Sequence, residues 1–134
     1  MVMTLENFWN GKNILITGHS GFKGMWMTLV LKNFNAYVTG ISRTGKGSNV
    51  YNLLDSNKFF EDEYFFDLSE NLNQENKEIF AKKKFDIIFH FAAQSLVSIA
   101  AKDPVRTLKT NVLGTYNIID TVLNNETSNC MVIS

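Results

Sequence analysis

Cysteine is nearly missing. Cys130 stands alone among 134 residues, which excludes an internal disulfide and offers no cysteine cluster to a metal, the usage expected in a reducing cytoplasm. A small buried apolar role in a strand suits it better than that of a nucleophile. An excess of one charge is missing too. Thirteen basic and thirteen acidic residues cancel, so no global field favours nucleic acid or an anionic membrane, and any bound anion must be held locally. Long hydrophobic runs are also lacking: residues 1–10 show no basic segment followed by an apolar one, and no stretch reaches membrane-spanning length. Secretion and membrane insertion are not expected. What is present is a 45% hydrophobic, 13% aromatic chain, enough for one folded domain with a real core.

The most informative stretch is Asn13-Ile-Leu-Ile-Thr-Gly-His-Ser-Gly-Phe-Lys-Gly24, a short apolar strand running into a glycine-spaced turn. Ile14, Leu15 and Ile16 form a buried-strand run, and Phe22, Met25, Trp26, Leu29 and Val30 follow at helical spacing. In a dinucleotide-binding turn, Gly18 permits the tight reversal, Gly21 lets phosphates approach the backbone, and Gly24 packs the first helical turn on the strand. The amides and dipole of a helix starting near Phe22 would then point at the anion. A lone glycine triplet is weak; the strand before it and the helix after it give it meaning. A Walker A loop is excluded, because Met25 follows Gly24 where Lys would stand.

Strands and helices alternate beyond the turn. Residues 36–41 read as a second strand, 42–48 as a polar glycine-containing loop, 50–54 as a helical turn, and 64–66 as a third strand ending at Asp67 and Leu68. A polar helix with Leu72, Ile79 and Phe80 leads to a fourth strand over 85–91. Pro104, the single proline, suits the first turn of a long helix reaching Asn124, with Val105, Leu108, Val112, Tyr116, Ile119 and Leu123 along one side. Residues 131–133 begin a fifth strand. Helices between strands require parallel pairing, so the expected fold is α/β, a Rossmann-type doubly wound sheet in the order 3-2-1-4-5, truncated after the fifth strand.

The carboxyl ends of these strands would hold the cofactor. An acid that binds ribose hydroxyls is expected after the second strand, yet Gly40-Ile-Ser42-Arg43 offers none. Ser42 can bond a ribose hydroxyl, and Arg43 can stack on adenine or pair with a 2′-phosphate, which leaves NADP open beside NAD; a solvated loop cation is the plain alternative. Asp67 can accept from the adenine amino group with Leu68 packed nearby, or simply cap a helix, as Ser69 can. Ala92-Ala93-Gln94 closes the fourth strand with two small residues that allow backbone to approach the cofactor. His90 reads as a packed core histidine. The acidic cluster of a receiver-like domain is missing after the first strand, where Thr17-Gly18-His19 stands.

Thr17-Gly-His-Ser-Gly-Phe-Lys-Gly24, Asp67-Leu68, His90-Phe-Ala-Ala-Gln94 and Thr110-Asn-Val-Leu-Gly-Thr115 together resemble the N-terminal part of an extended short-chain dehydrogenase/reductase. Phe8-Trp-Asn-Gly-Lys12, His19, Lys23 and Ala93-Gln-Ser-Leu-Val97 are most similar to the CDP-glucose 4,6-dehydratases. GDP-mannose 4,6-dehydratases and UDP-sugar epimerases share the broad pattern.

The resemblance implies a cofactor site formed by Gly18, His19, Ser20, Gly21, Phe22, Lys23, Gly24, Ser42, Arg43, Asp67, Leu68, Phe91, Ala92, Ala93, Gln94 and Asn111, with Asn111 supporting the active-site backbone and no metal. It implies NAD chemistry on a nucleotide sugar: hydride removal at C4, loss of water across C5 and C6, and hydride return to C6. The base in such enzymes is a Tyr within Tyr-x-x-x-Lys. Tyr116, the last tyrosine, has Asp120 four residues on. The expectation is therefore an N-terminal dinucleotide-binding portion over 1–134 that lacks its substrate-binding part and does not turn over alone; a non-catalytic dinucleotide module is the other reading. A homodimer or higher oligomer is expected, with Leu108, Val112 and Tyr116 as core or interface residues and core burial favoured for Val112. Neither nucleic acid nor membrane is an expected partner.

Overall fold

The computed structural model describes residues 2–55 and 58–125, together with the backbone of 131–133; Cys130 and Ser134 lie outside the described residues. Five strands, β1 (Asn13–Thr17), β2 (Tyr37–Ser42), β3 (Asp62–Phe65), β4 (Ile87–His90) and β5 (Met131–Ile133), form one sheet in the order β3-β2-β1-β4-β5. All pairings are parallel, with Ile14 opposite Val38 and Ile87, and Gly40 opposite Ile16 and Glu63. The expected order holds. β1 is central, so Ile14, Leu15 and Ile16 are buried on both faces, as a continuous apolar run requires.

Helices α1 (Leu5–Trp9), α2 (Phe22–Asn33) and α3 (Asn49–Leu53) accompany one face of the sheet, where Ile14, Ile16, Met25, Leu31, Val38, Tyr51, Phe60 and Phe89 form a core. On the other face α4 (Gln74–Lys83) and α7 (Gly114–Asn124) cover Leu15, Ile41, Leu68, Phe80, Phe85, Ile88 and Ile118. Each such side chain removed from water contributes about 1.5–3 kcal/mol. Local chemistry sets the helix starts. Asn73 accepts from the Asn76 amide at 2.8 Å, and Asp103 accepts from Arg106 at 3.0 Å just before Pro104.

The strands are shifted or shorter than their apolar runs: β3 occupies 62–65 and not 64–66, and β4 occupies 87–90 and not 85–91. Pairing with β2, which ends at Ser42, sets where β3 ends and leaves Phe66 outside it. Two short helices, α1 and α5 (Val97–Lys102), were not expected from the sequence.

The long helix carries the main correction. Its expected span holds, but as three pieces: α6 (Pro104–Leu108), a π-helical segment (Lys109–Leu113) and α7. Its apolar stripe faces outward, with Val105, Leu108, Val112, Tyr116, Ile119 and Leu123 all exposed, and Val112 at 57% is not a core residue. The helix rests on the sheet side through Gly114, Ile118 and Thr121, which at about 3.6 residues per turn lie on the face of α7 opposite Tyr116, Ile119 and Leu123. An added Cβ at Gly114 would find Leu68 at an ordinary 3.9 Å, so close packing does not require glycine there. In α2 the buried residues are Gly24, Met25, Thr28 and Leu31, while Phe22, Trp26 and Val30 stay exposed.

Candidate functional site

Parallel pairing gathers the carboxyl ends of the strands at one edge, and a cleft of about 400 Å³ opens there. Gly18, Ser20, Gly21 and Phe22 line it from the β1–α2 turn. Ser42, Arg43, Thr44, Lys46, Gly47 and Ser48 line it from the end of β2 and the loop that follows. Phe66, Asp67, Leu68 and Ser69 come from beyond β3, Phe91, Ala92, Ala93 and Gln94 from beyond β4, and Thr110 from the long helix.

The glycine turn is shaped by sterics. Gly18 adopts φ +69°, and a Cβ there would stand 2.8 Å from the backbone of Phe91 and Ala92, so a side chain would prise the turn off β4. Its amide donates to the Ile41 carbonyl at 2.7 Å, and the Gly21 amide donates to the Gly18 carbonyl at 3.0 Å. Gly24 sits beneath, where a Cβ would meet the Cα of His19 at 2.6 Å. Gly21 is the N-cap of α2 and has no side chain to bond the amides of the first turn. Those donors lack intrahelical partners, and with the helix dipole they present a positive end at the cleft.

The adjoining wall beyond β4 is held by a chain of neutral hydrogen bonds. The Thr17 hydroxyl lies 2.7 Å from His90 Nδ1 and accepts from the Ala92 amide at 3.2 Å. His90 Nε2 lies 3.0 Å from the Thr115 hydroxyl, which donates to the Asn111 carbonyl at 2.8 Å. With its proton committed to Asn111, Thr115 accepts from Nε2–H, and Nδ1 accepts from Thr17. Burial also pushes the His90 pKa down, which keeps the imidazole neutral in this arrangement. Asn111, in the π segment, accepts from the Gln94 amide at 2.7 Å and donates to the Gln94 carbonyl at 3.2 Å, clamping the chain just after β4 from both sides.

Charge in the lining is sparse. Arg43 and Lys46 share the lining with a single carboxylate, Asp67. Burial raises the Asp67 pKa, but bonds from the Ser69 hydroxyl and amide, then the Arg43 and Arg106 cations, outweigh it and hold the carboxyl below its usual 3.8. Oδ1 takes both Ser69 donors, at 2.7 and 2.9 Å. No helix begins there, since α4 starts at Gln74. The Ser42 hydroxyl donates to the Thr44 carbonyl at 2.9 Å.

Most of the sequence-chosen residues thus meet around one cleft. Four do not line it. His19 is fully buried with its ring bonded to Glu63, Gly24 is buried under the turn, Lys23 is exposed outside the lining, and Asn111 acts on the cleft through Gln94. Thr44, Lys46, Gly47, Ser48 and Phe66 also line it, as do Ser69, expected only as a cap, and Thr110, expected only within a family motif. The signal for the loop residues was there, in Gly45-Lys46-Gly47 three residues past the end of β2 at Ser42.

Residues 15–134 match the family model described as GDP-mannose 4,6 dehydratase. The chain belongs to that family. It is 35% identical over 118 residues to a CDP-glucose 4,6-dehydratase of Salmonella typhimurium, covering 87% of this chain and 32% of that protein. It is 31% identical over 128 residues to an inverting UDP-N-acetylglucosamine 4,6-dehydratase of Campylobacter jejuni, covering 93% of this chain and 36% of the other. Among solved structures, the Campylobacter jejuni UDP-Glc/GlcNAc 4-epimerase superposes with a TM-score of 0.72 at 29% identity, over 91% of this chain and 36% of that one. The chain spans about a third of the length of the curated relatives it matches. Among the described residues, no helix is long and apolar enough to cross a membrane.

Proposed function

We propose that the cleft binds NAD, and that residues 1–134 are the N-terminal, dinucleotide-binding portion of a nucleotide-sugar 4,6-dehydratase acting on CDP-glucose. One observation carries the reading: a glycine turn with Gly18 at φ +69° delivers the uncapped first turn of α2 to a cleft at the carboxyl edge of a parallel sheet. The choice of nucleotide sugar leans on the 35% identity to the Salmonella enzyme.

When bound, NAD supplies the acceptance and return of a hydride. The chain's own residues bind and orient. Amides at the start of α2 hold the pyrophosphate, as their lack of partners and their dipole favour. Asp67 accepts from the adenine amino group, Leu68 packs against the ring, and Ser42 and Arg43 address the ribose. Ala92 and Ala93 let the backbone approach, and the Asn111 clamp fixes Gln94 beside them. No tyrosine here is followed four residues later by lysine, so these residues hold the cofactor without providing the base, and the chain alone does not turn over substrate.

A second reading, NADP, is favoured by the end of β2, which offers Arg43 and Lys46 but no carboxylate to repel a 2′-phosphate. The exposed stripe of Leu108, Val112 and Tyr116 supports self-association through the long helix, and the single cysteine supports a cytoplasmic setting. Calorimetric titration with NAD and NADP tests the site, followed by a CDP-glucose turnover assay on the natural full-length protein. Saturable NAD binding and activity only in the longer form support the reading; a folded chain that binds neither dinucleotide at millimolar concentration overturns it.

A further inference from the structure

His19 is a fully buried polar residue for which the reading above has no use, although it sits between two residues that line the cleft. Its place is prepared by β2. Gly40 stands between Ile16 and Glu63 in the sheet, and its missing side chain leaves a notch on the face that carries Ile14, Ile16 and Val38. The His19 ring fills it, for a Cβ on Gly40 would lie 2.5 Å from the ring's Cγ. Phe60 and Tyr51 meet the ring edge-on, with centroids at 4.8 and 5.6 Å. Nδ1 has no hydrogen-bond partner among the described residues, so Nε2 carries the whole polar anchorage of the ring, 2.8 Å from Glu63 Oε1. The carboxylate only accepts, hence Nε2–H donates, and the same oxygen accepts the Tyr51 hydroxyl at 2.7 Å.

This bond closes a circuit. Tyr51 belongs to α3, whose N-cap is Ser48, and the Ser48 amide donates to the Ser20 carbonyl at 2.7 Å. The loop 43–48 is thus tied to the glycine turn directly at Ser20 and, through Tyr51 and Glu63, at His19. We propose that His19, Glu63 and Tyr51 are positioning residues: their bridge sets the separation between the glycine turn and the 43–48 loop, and so the affinity for a ligand that must touch both, an adenosine diphosphate unit. None of the three lines the cleft. The inference rests on the reading of the cleft as a dinucleotide site.

The test compares ADP, which spans turn and loop, with adenosine, which does not reach the turn, by titration of the 134-residue chain and its variants. Glu63→Leu is expected to weaken ADP about tenfold to a hundredfold, the effect of losing a charged hydrogen bond, and to leave adenosine within about threefold. Glu63→Gln keeps an acceptor of the same shape and restores most of the loss. Should Glu63→Leu not fold, Gly40→Ala serves instead: the added methyl displaces the ring from Glu63 and weakens ADP, and adding His19→Ala to it causes no further loss because the bridge is already broken. Equal weakening of both ligands, or a folded Glu63→Leu that binds ADP like the unaltered chain, overturns the proposal alone. An unaltered, folded chain that binds no ADP overturns the dinucleotide reading and this proposal with it.

Discussion

The two walls of the cleft are fixed by different means. On the glycine-turn side, shape decides: Gly18, Gly24 and Gly40 each stand where a Cβ would press on backbone or on the His19 ring, and one carboxylate, Glu63, anchors the assembly. On the β4 side, hydroxyls and an amide decide, in the chain from Thr17 through His90 and Thr115 to Asn111 and Gln94. The two buried histidines mirror the contrast. His90 has both ring nitrogens engaged, whereas His19 uses one and relies on packing for the rest. A steric wall fails abruptly when a methyl is added; a hydrogen-bonded wall fails by degrees, and its failure depends on pH.

Substitutions that separate the two walls follow from this. The largest effect is expected for Gly18→Val, which combines an unfavourable positive φ with a clash against Phe91 and Ala92; urea unfolding should show a loss on the order of 3 kcal/mol. Asn111→Ala leaves the Gln94 amide without its acceptor and should cost about 1–3 kcal/mol in the same measurement. Next comes pH. The His90 pKa is lowered on folding, so the unfolded chain binds the proton more readily, and stability falls as pH drops below the ordinary 6.5. The slope from this one group is at most about 1.4 kcal/mol per pH unit, and His90→Gln should remove its share of the slope in melts at pH 5 to 7.5. The smallest change in stability, within about 0.5 kcal/mol, is expected for Val112→Glu on the exposed stripe. Its effect should appear in sedimentation, as loss of self-association; an unchanged oligomeric state would remove that face from the proposed contact.

The steric wall was the more legible one. Glycine spacing after an apolar strand states its own geometry, and the order of strands follows from the alternation of elements. Asp67, Ala92 and Gln94 reached the cleft because they stand at strand ends, which periodicity locates to within a residue or two. What the sequence hid depends on contacts between distant elements. That His19 would turn away from the cleft needs Gly40 and Glu63, 21 and 44 positions on, to be adjacent to it. The stripe on the long helix was visible, but its direction was not: an apolar period looks the same whether it faces a core or is left exposed, and Gly114, Ile118 and Thr121, which do pack, carry no stronger apolar signal.

The glycine turn and the first turn of α2 are proposed to hold a dinucleotide. Calorimetric titration of NAD into the chain and into Gly21→Val tests it most directly, because Gly21 caps α2, and its Cβ position lies 3.1 Å from the Gly18 carbonyl at the lip of the cleft. Saturable binding below millimolar NAD is expected for the unaltered chain and none for a Gly21→Val chain that remains folded by circular dichroism. Equal binding by both would contradict it.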